Sequence, residues 1–143
     1  MMLIEQLKHV HANAFTFYLK AHFYHWNIEG ANFPQYHKFL EDLYTEVFQS
    51  VDAIAELIRT LDSYAPGTLG RLKELTSIQE SDDIPDATGM ISNLQTENNI
   101  MRASLMTAYN TANDSGEIGI ANYLQDRIQA HEKHAWMLRS ILK

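Results

Sequence analysis

The 143-residue chain contains no cysteine, only six glycines and only three prolines. Without cysteine it can form neither a disulfide bond nor a thiolate metal site. Because so few residues force the chain to turn, long helices are favoured over a sheet of many strands. No stretch approaches the roughly 20 apolar residues that cross a bilayer. Polar residues interrupt the apolar N-terminal positions, which does not suit a secretory signal, so we expect a cytoplasmic protein without a membrane segment.

Clusters of basic residues are also lacking. The chain has 11 Lys and Arg against 18 Asp and Glu, for a formal charge of −7, and no two basic residues are adjacent. An acidic surface repels the phosphate backbone of nucleic acid and favours the capture of cations. Lys8 is the one Lys or Arg among the first eleven residues, so no basic tail is expected to bind DNA at that end.

Four long segments and one short segment have helical periodicity. Their approximate bounds are Leu3 to Asn27, Asn32 or Pro34 to Tyr64, Leu69 to Ile78 for the short one, the polar start signal at 81–86 to Asn113, and Glu117 to Leu142. The last three long segments carry apolar stripes. The stripes comprise Leu40, Leu43, Val47, Ile54, Leu57 and Leu61; Leu94, Met101, Leu105, Ala108 and Ala112; and Ile118, Ala121, Leu124, Ile128, Ala135, Leu138 and Leu142. We predict one all-α domain over residues 1–143, a four-helix bundle with a short helix in the long connection between helices 2 and 3.

Possible metal ligands concentrate at the end of the first helix and along the second. His25 closes the first helix, and the second carries His37, Glu41, Asp52 and Glu56. At 100° per residue, the three carboxylates lie about 40°, 60° and 100° from His37, on one stripe. Asp42 is adjacent to Glu41, and acidic residues are common near helix starts, which leaves the choice between these two open.

The distance along the helix separates these ligands into two groups. His37 and Asp52 are 15 residues apart, or roughly 22 Å along a straight helix, whereas metal–ligand bonds are about 2 Å. One chain therefore cannot bring both groups to one metal. Two copies of the helix, antiparallel about a two-fold axis, would place each early group opposite the partner's late group and form two identical sites. His25 would lie at a similar height to His37, across the hairpin.

The ligand types favour some metals over others. Two imidazoles with up to three carboxylates suit Fe, Mn or Zn, and carboxylates stabilise a ferric product over a ferrous reactant. Bundle proteins that bind two irons within one chain use Glu-x-x-His on two helices. No histidine of this chain has Glu three positions before it, so the sequence predicts a site between chains.

At these residues the chain resembles the Dps family of mini-ferritins. The matching positions are His25-Trp26-Asn27, Gly30, Phe33, His37, Phe39, Tyr44, Asp52 and Ala55-Glu56. The segments PGTLGRLKELTSIQE, from Pro66, and HEKHAWMLRSIL, from His131, resemble the family's short connecting helix and its C-terminal helix. Glu41 stands where the family has an acidic ligand.

The resemblance implies a hollow shell of twelve subunits that oxidises Fe(II), preferably with hydrogen peroxide, and stores ferric mineral. It implies that His25, His37 and Glu41 of one subunit and Asp52 and Glu56 of its partner hold two iron ions, with Zn(II) or Mn(II) as substitutes. Trp26 would lie beside the site and absorb oxidising equivalents. The alternatives are a DNA-binding, nucleoid-protecting protein and a catalytically silent cage that binds Zn(II). Twelve copies would carry twelve times the formal charge of −7, so direct DNA binding is not expected.

Other conspicuous residues have ordinary interpretations. We expect His9, His11, His131 and His134 to be hydrogen-bonded or solvent-facing. His22 could bind metal with His25, but such i, i+3 pairs are common by chance and a core or surface role is favoured. Large apolar residues expected in the core or at interfaces are Trp26, Trp136, Met101, Met106 and Met137. Acidic residues that could line an iron-entry pore, or merely flank a helix start, are Asp114, Glu117 and Asp126.

Overall fold

The computed structural model describes residues 2–143, which form five α-helices and, over that range, no β-strand. In chain order the helices are α1 Met2–Asn27, α2 Phe33–Thr60, α3 Leu69–Leu75, α4 Ala87–Asp114 and α5 Ile118–Ile141. Helices α1 and α2 pack as one hairpin, α4 and α5 as another, and α1 joins the two by packing on α4. The short helix α3 contacts α1 within the long connection between α2 and α4. The predicted all-α bundle is therefore confirmed.

One hydrophobic core runs through the bundle and receives side chains from all four long helices. Its largest fully buried members include Phe17, Leu40, Ile54, Leu94, Met101, Leu105, Leu124 and Leu138. The single domain predicted over residues 1–143 stays a prediction that this shared core supports. None of the helices in residues 2–143 has both the length and the apolar character of a membrane span.

Some residues expected in the core are exposed. Ile118, assigned to the apolar stripe of the last helix, is 73% exposed because it is the first residue of α5, and the buried face begins at Ile120 and Ala121. Met106 is also exposed, although Met101 is buried as predicted. Trp26 and Trp136 are exposed as well, so neither is a core anchor of this chain.

Helix α2 ends four residues earlier than the sequence predicts, at Thr60 instead of Tyr64. Asp62 has a left-handed φ of +60°. Its backbone N–H donates to Arg59 O and that of Ser63 donates to Ile58 O. This pair of bonds is the Schellman ending of a helix. The chain therefore leaves the helix at Asp62, before it reaches Pro66 and Gly67.

The connection after α3 is held by a side chain of α1. Asn13 is fully buried, and its Oδ1 accepts hydrogen bonds from Thr76 Oγ1 at 2.8 Å and from Ser77 N at 2.9 Å. The predicted short helix from Leu69 to Ile78 accordingly ends at Leu75, because the next two residues bond to α1. At the start of α4, Asp86 caps the helix by accepting from Gly89 N at 2.8 Å.

Candidate metal centre

His25 and His37 lie together where α1 turns into α2. The turn is permitted by Gly30, whose φ of +126° strongly favours glycine, and is anchored by the buried Ile28. The two imidazole rings are stacked with centroids 3.7 Å apart and planes 18° from parallel. This confirms the sequence-based expectation that the two histidines occupy a similar height.

Each of these histidines is fixed by the backbone of the other. His25 Nδ1 donates to His37 O at 2.8 Å, and His37 Nδ1 donates to His25 O at 2.9 Å. A carbonyl oxygen can only accept, so both Nδ1 atoms must carry a proton. In the neutral rings, Nε2 then keeps its lone pair, and neither Nε2 has a hydrogen-bond partner within residues 2–143. Metal-binding histidines are oriented in this way, with one nitrogen bonded to a carbonyl and the other free for the ion.

Glu41 lies one turn beyond His37 and is partly exposed. The nearby cation is Lys38, whose Nζ is 3.0 Å from Asp42 Oδ1 and 3.8 Å from Glu41 Oε2. The hydrogen bond to Asp42 is the main cause of the raised pKa of Lys38. Because Lys38 pairs mainly with Asp42, it leaves the Glu41 carboxylate the freer of the two to take another cation.

Asp52 and Glu56 lie on the same helix but far from the histidines. Both are exposed and make no hydrogen bond or ion pair within residues 2–143. Since α2 is helical from Phe33 to Thr60, the separation of roughly 22 Å inferred from the sequence applies. Within the described range, no three His, Asp or Glu side chains are grouped so that they could hold one metal ion. The structure thus brings His25 and His37 together and leaves Asp52 and Glu56 apart from them.

Aromatic rings surround the two histidines. Phe33 stacks on His37 at 4.8 Å, and the edge of Tyr44 meets His25 at 5.1 Å between centroids. Trp26 is predicted to lie beside the site, and its ring centroid is 4.0 Å from that of His22.

His22 is the centre of this aromatic group. Its ring lies between Trp26 and Tyr44, stacked on Tyr44 with a centroid distance of 3.8 Å and an angle of 11°. The hydroxyl of Tyr18 and Nδ1 of His22 share a hydrogen bond of 2.9 Å, in which the tautomer of His22 decides which atom donates. Burial and then the charge of His25 lower the pKa of His22, while burial and then Tyr44 raise the pKa of Tyr18. Both shifts favour the neutral form of each group.

The sequence analysis did not single out Tyr18. The available signal was the four-residue spacing of Tyr18, His22 and Trp26, which places the three on one face of α1.

A second polar cluster, also missed, joins α2 to α5. Both carboxylate oxygens of Glu46 accept from the Arg127 guanidinium, and Glu46 Oε1 also accepts from His134 Nε2 at 2.7 Å. Burial alone would raise the pKa of Glu46, but the hydrogen bonds from His134 and Arg127 outweigh it and hold that pKa well below its usual range.

His131 continues this cluster towards α4. Its Nδ1 donates to Asn98 Oδ1 at 2.8 Å, and its Nε2 accepts from Arg127 at 3.0 Å. Burial first, and then the charge of Arg127, lowers the pKa of His131 far below that of a free imidazole. His131 and His134 are therefore hydrogen-bonded structural residues, as expected, and so are His9, which bonds Ser77, and His11, which bonds the carbonyl of Pro66.

Comparison with known proteins identifies the family to which the chain belongs. The model of the ferritin-like domain family matches residues 4–143. The DNA protection during starvation protein of Brevibacillus brevis is 33% identical over 133 residues, covering 92% of this chain and 89% of the relative. The DNA protection during starvation protein 2 of Bacillus anthracis is 31% identical over 140 residues, covering 98% of this chain and 96% of the relative. The chain belongs to the Dps family of ferritin-like proteins.

Solved Dps structures have the same fold. The Dps protein of Vibrio cholerae O1, described as a member of a broad superfamily of ferritin-like diiron-carboxylate proteins, superposes with a TM-score of 0.95. That pair is 29% identical over 99% of this chain and 89% of the other. Membership of this family implies iron binding and fits a role in iron sequestration and protection against stress.

Proposed function

We propose that this Dps-family chain is an iron-sequestering mini-ferritin that oxidises Fe(II) with hydrogen peroxide. Two iron ions bind at each site between two-fold-related subunits, with His25, His37 and Glu41 from one subunit and Asp52 and Glu56 from the other. The ferric product is stored in a hollow oligomer of twelve subunits built from these dimers. Removal of Fe(II) and peroxide together limits oxidative damage. The cytoplasmic location expected from the sequence stays a prediction.

The observation that carries the proposal is the reciprocal bonding of His25 and His37. Each ring is held by the other's carbonyl at 2.8 and 2.9 Å, which leaves two Nε2 lone pairs without a partner in the described chain. Two imidazoles held in this way satisfy part of the coordination shell of a divalent ion. The rest must come from carboxylates, and those of the late group on α2 are too far along the same helix to supply it.

The outer stripe of α2 also has the character of a contact surface. Phe48, which lies on the stripe between the early and late ligand groups, is 52% exposed. Phe33 at the start of α2 is exposed too. Large apolar side chains exposed on both sides of candidate ligands favour a face that another subunit covers.

The donor set also defines the chemistry. Nitrogen and oxygen donors without sulfur accept Fe(II), Zn(II) or Mn(II), so Zn(II) and Mn(II) are expected to compete with iron. Carboxylates stabilise the higher charge of Fe(III), which lowers the free energy of the oxidised product and drives the reaction forward.

The direct test is Fe(II) oxidation by peroxide, and separately by oxygen, in wild type, His37→Ala and Asp52→Ala. Either variant should lose most of the peroxide-dependent rate, because each removes one ligand from every site. Glu132→Ala, which changes an exposed carboxylate on α5, should retain the wild-type rate. Unchanged oxidation in both ligand variants would defeat the proposal, and Zn(II) binding without Fe(II) oxidation in wild type would favour the silent cage.

DNA binding is the second candidate, since relatives bear the name of DNA protection during starvation proteins. Protection of DNA by removing iron and peroxide requires no contact with it. The formal charge of −7 per chain opposes such contact. A gel shift that weakens steeply with salt would support direct binding.

A further inference from the structure

His131 is a fully buried histidine of α5 that the proposed iron chemistry does not use. Its two partners fix its protonation state. Asn98 Nδ2 donates to the backbone oxygen of His131, and Asn98 Oδ1 accepts from His131 Nδ1, both at 2.8 Å. On the other side of the ring, Arg127 Nη2 lies 3.0 Å from Nε2. Because a guanidinium can only donate, Nε2 must keep its lone pair and the ring must be neutral.

Arg127 joins this ring to α2. Its guanidinium also donates to both carboxylate oxygens of Glu46. We call the contacts among Glu46, Arg127 and His131 the α2–α5 latch. The backbones of α2 and α5 approach each other at few points, and a groove of about 480 Å³ opens to solvent between them, with Glu46 and His134 in its lining. The boundary between these two helices is therefore sensitive to a change in the latch.

Protonation of His131 is incompatible with the closed latch. A proton on Nε2 would direct an N–H at the N–H groups of Arg127, with no acceptor between the two positive charges. Solvent does not reach the ring, so water does not screen this repulsion. Asn98 holds the opposite side of the ring and opposes its rotation. Arg127 is therefore the group that must move.

Most charges around the ring act in the same direction. Burial is the first cause of the lowered pKa of His131, and the charge of Arg127 is the second. The side chains of α4 and α5 that disfavour a positive ring are Arg127, His134 and Arg102. Glu46 on α2 favours a positive ring, but to a lesser extent than Arg127 disfavours it. From α1 the ring meets Phe17, at 5.8 Å between centroids, which carries no charge.

We propose that the α2–α5 latch is an acid-operated switch, in which a proton taken up by His131 displaces Arg127 and loosens the boundary between α2 and α5. The step adds one proton from solvent to Nε2 and breaks no covalent bond. Asn98 can still accept from Nδ1 of the protonated ring, so α5 stays attached to α4 while it loosens from α2. This goes beyond the proposed function, since the switch requires neither metal nor peroxide.

The direction of the pH dependence follows from the proton count. The closed latch holds His131 neutral, whereas an open latch exposes a ring whose pKa is near the ordinary value of about 6.5. Acid therefore favours the open form, by about tenfold for each pH unit below that value. Between pH 7 and pH 5 the opening equilibrium should rise by about twentyfold. Glu46 adds to this effect only below about pH 4.3.

Amide hydrogen exchange of the whole, metal-free chain at pH 7 and pH 5 measures this opening. After correction for the intrinsic pH dependence of exchange, amides of residues 43–50 and 124–134 should exchange about twentyfold faster at pH 5. His131→Gln should lose the rise, because glutamine can accept from Arg127 but takes up no proton. His131→Asn repeats the test should the first variant not fold. His9→Gln, at a half-buried histidine of α1 that bonds Ser77, should retain the rise.

Wild type alone can overturn the proposal, since equal corrected exchange at both pH values in these two segments would show that the latch does not open in acid. A rise that persists in the His131 variants but is lost in His134→Gln would assign the switch to the wrong histidine. Equal acceleration in α1 would show general loosening instead of an opening between α2 and α5. None of these results depends on Fe(II) oxidation, so the proposed function stands or fails separately.

Discussion

Glu46 lies midway along α2, and its side chain is 37% exposed, yet it connects three helices through charged hydrogen bonds. It pairs with Arg127 and His134 of α5. Arg127 also donates a hydrogen bond to His131, which in turn bonds the side chain of Asn98 on α4. Helices α2 and α5 otherwise contact each other little. At the scale of single residues, this ion pair therefore links the ligand-bearing helix to α5.

Glu46→Gln should lower the free energy of unfolding at pH 7. Hydrogen bonds to charged groups contribute about 1.5–3 kcal/mol. Because more than a third of the Glu46 side chain meets solvent, screening reduces this to about 1–2 kcal/mol. Urea denaturation of the two proteins measures the difference. Glu132→Gln, whose exposed carboxylate lies 3.7 Å from Arg102, should change stability by less than about 0.5 kcal/mol.

The Glu46–Arg127 ion pair should also make the difference in unfolding free energy between wild type and Glu46→Gln depend on pH. The pKa of Glu46 is depressed in the folded state, so its contribution to stability is complete above the unfolded value of about 4.3. As pH falls below that value, the unfolded chain binds a proton that the folded chain does not, and the contribution declines. The gap between wild type and Glu46→Gln should therefore narrow between pH 5 and pH 3. A constant gap would show that the Glu46 carboxylate is not selectively stabilised in the folded protein.

At the scale of helices, the Schellman ending of α2 is made by an aspartate. Asp62 occupies the left-handed position with φ of +60°, where glycine is usual because a side chain adds strain. The corresponding position after α4 is Gly116, with φ of +77°. The two ends have the same hydrogen-bond pattern, with Ser63 N bonded to Ile58 O and Glu117 N to Ala112 O.

Asp62→Gly should consequently stabilise the protein by about 0.5–1 kcal/mol, since the strain removed exceeds the added freedom of the unfolded chain. Asp62→Val should destabilise it, because a branched side chain tolerates this conformation poorly. Thermal or urea unfolding checks both. Asp83→Gly offers a matched control outside any helix and should be neutral or slightly destabilising. Destabilisation by Asp62→Gly would contradict the account of this helix end.

The sequence predicts the helices well and their ends less well, for physical reasons. Apolar periodicity is local, so the stripe of α4 from Leu94 to Ala112 is buried as expected. The end of α3 is decided by Asn13, more than sixty residues away in the chain, and spacing within the helix carries no sign of it.

Some features of the candidate site can likewise be predicted from the sequence, whereas others are seen only in the structure. That His25 and His37 meet follows from two helices joined by a short turn, which the sequence contains. That each ring bonds the other's carbonyl depends on the exact path of the turn around Gly30, and is seen only in three dimensions. The Glu46–Arg127 pair joins residues 81 positions apart and is equally invisible to a local pattern.

At the scale of the whole molecule, the proposed site requires both ends of α2, contributed by two different copies of the chain. Helix α2 places His37 and Glu41 in its first turns and Asp52 and Glu56 in its later ones. An antiparallel pairing of two copies of α2 about a two-fold axis brings an early group against a late group twice. Such a dimer contains two equal sites, and each needs both chains.

Mixing two inactive variants tests this claim most directly. His37→Ala and Asp52→Ala are unfolded together, refolded as an equal mixture, and assayed for peroxide-dependent Fe(II) oxidation against each variant refolded alone. In a mixed dimer one site carries both defects and the other carries none, and random pairing makes half of the dimers mixed. The mixture should therefore recover about a quarter of the wild-type rate. A mixture no more active than its parents would show that the ligands of one site do not come from two chains.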